Sequence, residues 1–138
     1  MNANSDIVKN FYEEIINRKN LSSIGDFLTV DFIHNGVSRG LEGQRKIIEE
    51  NFLDAFPDLN VTCEFFVCED EMVTVHNKWN GTHSGNFLGV APTGKSVMWE
   101  SNAILKISSG KICQAWDEND FLSLFMQIGS FPQIPAAK

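Results

Sequence analysis

Three kinds of side chain in this sequence could do acid/base chemistry at spacings worth testing. The first is a carboxylate at the end of a strand. Counting by twos along residues 111–120 puts Ile112, Gln114, Trp116, Glu118 and Asp120 on one face, with Asp117 and Asn119 on the other. Asp120 thus ends an aromatic-bearing face, where burial raises a carboxyl pKa and hydrogen-bond donors keep part of it ionised. It could equally cap a helix that begins at Phe121. The second kind is histidine. In 72–83, His83 shares a face with Val73, Val75 and Trp79, whereas His76 falls on the polar face with Lys78 and Asn80. His34, on a short early strand, is a further hydrogen-bond donor. Both His34 and His83 could instead be satisfied structural residues. The third kind is cysteine. Cys63, Cys68 and Cys113 are odd in number and read as free thiols. Five residues apart, Cys63 and Cys68 should point to opposite faces of a regular strand, which argues against a shared metal. No nucleophile–base order suggests covalent catalysis. No H-E-x-x-H pattern suggests a metal either, so the expected metal set is none.

Gly89-Val90-Ala91-Pro92-Thr93-Gly94-Lys95-Ser96 fits the phosphate-binding pattern G-x-x-x-x-G-K-[ST] letter for letter. That chemistry needs a parallel strand before the loop and a helix after it. Here Val97–Leu105 reads as strand, so the segment is expected to be a Pro/Gly turn.

The elements that position these residues change period midway. Ile7, Val8, Phe11, Tyr12, Ile15 and Ile16 make one stripe of a first helix, capped by Ser5 or Asp6. A short helix is expected near Leu21–Leu28 and a brief strand at Asp31–Asn35. A longer helix follows over Leu41–Phe56, stopped by Pro57-Asp58. From residue 60 the period becomes 2, with Val61, Cys63, Phe65 and Val67 alternating with Thr62, Glu64 and Phe66. Further strands are predicted at Met72–His83, Val97–Ser108 and Lys111–Asp120, and a last helix at Phe121–Gly129. Helices followed by an antiparallel meander mean an α+β fold with helices on one face of a curved sheet.

Composition bounds the partners. The 138 residues suit one domain over 1–138. They carry a net charge of −7 with no Lys/Arg cluster, which excludes nucleic acid and anionic membranes. Nothing reads as an export signal or membrane span, so a cytoplasmic location is expected. Eleven Phe and three Trp stand against a single Tyr. That is a large load of aromatic carbon with almost no hydroxyl.

The stretch Trp79-Asn80-Gly81-Thr82-His83-Ser84-Gly85-Asn86-Phe87-Leu88-Gly89-Val90-Ala91-Pro92-Thr93-Gly94-Lys95 resembles the W-x-G-T-H-x-G-x-F-x-G-x-x-P-T-G-[KR] signature of SnoaL-like proteins. These form the polyketide-cyclase and ester-cyclase branch of the nuclear-transport-factor-2-like superfamily. Phe56-Pro57-Asp58-Leu59, Gly110-Lys111-Ile112 and Trp116 through Asp120 match as well. The resemblance implies a cone-shaped α+β barrel, cystatin-like, whose curved, mainly antiparallel sheet wraps around N-terminal helices. It also implies a hydrophobic cavity and a homodimer. By resemblance Asp120 is the acid/base of an intramolecular aldol closure that uses no metal or organic cofactor, assisted by His83 and His34. Trp79, Trp99, Trp116, Phe52, Phe87 and Glu118 would line a site for a small apolar or aromatic ligand. The alternative is a non-catalytic protein binding such a metabolite in the same cavity.

Overall fold

The computed structural model describes residues 2–130. Helix α1 (Ala3–Phe11) runs on as a π-helical turn over Tyr12–Asn17. Its cap is Asn2, whose side chain accepts from the Ser5 amide, rather than the expected Ser5 or Asp6. The predicted helix at 21–28 is a 3-10 turn, Leu21–Asp26, and strand β1 (Leu28–His34) starts earlier than expected. After β2 (Val37–Ser38), helix α2 (Gly40–Ile47) continues through a second π-helical turn over Ile48–Leu53. Four long strands follow: β3 (Asn60–Glu69), β4 (Met72–Thr82), β5 (Ser96–Ser108) and β6 (Lys111–Asn119). Helix α3 (Phe121–Gln127) comes last. Among the described residues no helix is long and apolar enough to cross a membrane.

The strands form one sheet in the order β2-β1-β6-β5-β4-β3. All pairings are antiparallel except β1 with β6. The curved, mainly antiparallel sheet with N-terminal helices is the α+β architecture the resemblance implies, and with β2 and β3 at opposite edges the sheet does not close into a barrel. The inner face carries the core. Along β4 the buried residues alternate as Val73, Val75, Asn77, Trp79 and Gly81, the period of a half-buried strand. The side chains of α1 and α2 cover this face.

Two bulges break the simple count. On β3, Cys63 pairs with Asn77 and Phe65 with His76, so Glu64 is an extra residue. It shifts the following parity, leaving Phe65 and Val67 exposed and Phe66 and Cys68 packed inward beside Cys63. The expected single face of Val61, Cys63, Phe65 and Val67, and the opposed faces of Cys63 and Cys68, are both corrected by this one residue. On β6, Ile112 pairs with Ile107 and Gln114 with Lys106, so Cys113 is the extra residue. Beyond it Ala115, Asp117 and Asn119 stand opposite the buried Leu105, Ala103 and Ser101, while Trp116 and Glu118 face outward.

The glycine-rich segment after β4 is a loop, and β5 begins at Ser96 directly after it. A strand rather than a helix follows Lys95, as expected for a turn. The loop is tied to the end of α2: the Ser84 and Gly85 amides both donate to the Ala55 carbonyl at 3.0 Å. A Cβ on Gly85 would run into the Asp54 carbonyl. Asp58 accepts from the Thr82 amide and hydroxyl, both at 2.7 Å. These bonds hold its carboxyl below the usual range. Much of the glycine- and threonine-rich signature therefore fastens a loop to a helix.

Candidate active site

A cavity of about 390 Å³ lies between the inner sheet face and the helices, within the usual size of a small-molecule site. Its walls are mostly aromatic. Phe52 faces Trp79, Phe87 and Phe121 at centroid distances of 6.2–6.5 Å. Both inner-face indole N–H groups are already used. Trp79 Nε1 donates to Ser101 Oγ at 2.8 Å, and Trp99 Nε1 to Asn119 Oδ1 at 3.0 Å. The walls therefore offer carbon faces rather than competing donors.

Polar chemistry gathers on β1 and β6. Because Cys113 shifts the register, Asp117 faces the cavity, where its neighbour across the parallel pairing, β1, ends in His34. His34 Nε2 lies 3.0 Å from Asp117 Oδ1. Arg39 Nε donates to His34 Nδ1 at 3.3 Å, so Nδ1 accepts and the hydrogen on Nε2 points at the carboxylate. Asn35 Nδ2 also donates to Asp117 Oδ1, at 3.1 Å, and Asn35 Oδ1 accepts from the Asp117 amide at 2.9 Å. Burial alone would raise the Asp117 pKa. The hydrogen bond from His34, with that from Asn35 and the nearby Arg39 guanidinium, outweighs it and holds the carboxyl below the ordinary carboxylate range. Both side-chain contacts of Asp117 fall on Oδ1, which leaves Oδ2 for a ligand.

Tyr12, the chain's single tyrosine, also lines the cavity. Burial first, then the negative charge of Asp117, pushes its hydroxyl pKa strongly upward. It remains a hydrogen-bond donor at any working pH.

The expected residues separate into three groups. His34, Trp79, Phe52 and Phe87 line the cavity, and Glu118, exposed on the outward row of β6, only borders it. Trp99 is buried just behind its wall, stacked parallel on Trp79 at 5.7 Å. Asp120, His83 and Trp116 are elsewhere. Asp120 is exposed, and its Oδ1 accepts from the Ser123 amide at 3.0 Å as the N-cap of α3. His83 is fully buried outside the cavity lining, and its Nδ1 accepts from the Thr93 amide at 3.2 Å. That bond pins the β4–β5 loop. Trp116 lies on the outer sheet face. Sequence reasoning missed Asp117, Asn35, Arg39 and Tyr12 as members of the site. His-Asn-Gly at 34–36 was a readable turn signal that could have flagged Asn35, whereas Asp117 was hidden by the bulge.

Comparison with known proteins agrees with this architecture. TsrD from Streptomyces laurentii superposes with a TM-score of 0.85 at 25% identity, covering 94% of this chain and 96% of its own. AclR from Streptomyces galilaeus, a proposed hydroxylase, gives 0.84 at 28% identity over 96% and 84%. A SnoaL-like polyketide cyclase from Agrobacterium tumefaciens shares the fold at 0.80 and 24% identity, over 94% and 100%. No curated protein matches the sequence. The SnoaL-like polyketide cyclase profile matches residues 6–128, from the first helix through the strand that carries Asp117 to the end of the last. The chain therefore belongs to the SnoaL-like polyketide cyclase family.

Proposed function

We propose that the cavity is the active site of an acid/base enzyme that acts, without a cofactor, on a small apolar or aromatic polyketide-like molecule. The observation that supports it is the His34–Asp117 pair set into an otherwise aromatic cavity. In this reading Asp117 Oδ2 removes a proton from carbon next to a carbonyl. His34 and Asn35 hold the carboxylate in place through Oδ1. The protonated Tyr12 hydroxyl donates to the developing enolate oxygen, where a placed donor stabilises charge. Ring closure by aldol addition then follows within the bound chain, as the family description suggests. The acid/base role thus passes from Asp120 to Asp117, because Asp120 is engaged at the cap of α3.

The second reading, a binding protein for the same kind of ligand, draws support from that capping role of Asp120. Kinetics separate the two. Ligand co-purified from a host extract is identified by mass spectrometry, and its precursor is then used for turnover. Asp117→Asn should lower kcat about 10²–10⁴-fold, and Asp120→Asn should change it by no more than a few-fold. The reverse ranking would return the role to Asp120. Tight binding with no turnover by the wild type would favour the binding protein.

A further inference from the structure

Away from the cavity, on the outer face of the sheet, Glu64 of β3, His76 of β4 and Glu100 of β5 converge. One imidazole nitrogen and two carboxylate oxygens lie within 4.8 Å of one another. Strand register accounts for the meeting. His76 pairs with Asn102 and Lys78 with Glu100, so His76 reaches Glu100 diagonally. The bulge puts both Glu64 and Phe65 on this face, where a regular strand would turn one of them inward. Phe65 stacks on the imidazole at 5.3 Å and 19°. Nδ1 lies 2.7 Å from Asn102 Oδ1, and Nε2 lies 2.8 Å from Glu100 Oε1. The ring is thus held from three sides, with Nε2 aimed at the Glu100 carboxylate and Glu64 beside it. Metal-binding histidines are oriented in this way, one nitrogen tied to an oxygen acceptor and the other turned to the ion. Lys78 Nζ stands 3.5 Å from Glu64 Oε1 and competes for that carboxylate.

We propose that Glu64, His76 and Glu100 form a binding site for a first-row divalent transition-metal ion of the zinc class. A mixed imidazole–carboxylate set suits such an ion, whereas Mg²⁺ and Ca²⁺ favour all-oxygen surroundings. On binding, the Nε2–H bond breaks and its proton leaves to solvent. The freed lone pair then bonds the ion, and one oxygen from each carboxylate joins it. Water fills the remaining positions. The ion would bridge three neighbouring strands, including edge strand β3.

Isothermal titration of the chelator-stripped full chain with ZnCl₂ tests this. The wild type should show one saturable site per chain. His76→Gln should weaken it at least tenfold, and Lys78→Met should tighten it several-fold by removing the competing ammonium. Zinc should also raise the melting temperature of the wild type and not that of His76→Gln. Absence of saturable binding would overturn the proposal. So would unchanged affinity in His76→Gln, which would place the zinc elsewhere, for example at a thiol, or weaker binding in Lys78→Met.

Discussion

At the scale of single residues, the proposed chemistry turns on how Asp117 is kept ionised. Its folded pKa lies below the ordinary carboxylate value of about 3.9. Its contribution to stability is therefore complete above that value, and is lost as pH falls through the lower folded pKa. The acid limb of kcat/KM should lie below the ordinary carboxylate range for the same reason. Replacing His34 by Ala removes a hydrogen bond to the carboxylate, so burial gains the upper hand. The limb should move to higher pH, as should the Asp117 carboxyl titration followed by NMR. An unmoved titration would show that His34 does not set it. His34 was legible in the sequence because it closes a short strand directly before the Asn35-Gly36 turn. The partner was not, because its strand contains one residue too many.

At the scale of elements, the reading succeeded wherever a regular period ran uninterrupted. The switch from helix to strand near residue 60, all four long strands and the refusal of the phosphate loop follow from periodicity and turn residues. It failed at two bulges, Glu64 and Cys113, because nothing in a residue's type announces that it will be left unpaired in a ladder. Each error then spread along the strand: Phe65 and Val67 were set on the face of Val61, and Asp120 rather than Asp117 on the face of Ile112. The joints between elements yield two predictions. Gly85→Ala should lower stability by about 1–3 kcal/mol in urea unfolding, as overpacking does, since the Asp54 carbonyl is backbone and cannot swing aside. Asp120→Ala should cost about 0.5–2 kcal/mol through loss of the α3 cap and leave ligand affinity unchanged.

At the scale of the whole molecule, the aromatic surplus is divided between two surfaces. Most of it faces inward around the cavity. The outer sheet face, in contrast, exposes Phe65, Val67, Met98, Ile104 and Trp116. A patch of this kind is the physical ground for proposing that the chain pairs with a second copy. Light scattering should then give twice the 15.5 kDa chain mass, and Ile104→Lys should shift the population toward single chains. A wild-type mass of one chain would remove the proposal.

The extra residue on β6 has one more consequence. Strand β6 carries two polar rows in alternation: Asp117 and Asn119 inside, and Trp116, Glu118 and Asp120 directed elsewhere. Drawing Cys113 into the ladder as a paired residue would slide one row into the other's place, because a one-residue slip exchanges faces. The interior would then meet a tryptophan and two acids without a single substitution. A change of register at that position is thus a way of changing chemistry in one step, and the row now outside is a second repertoire already written into the strand.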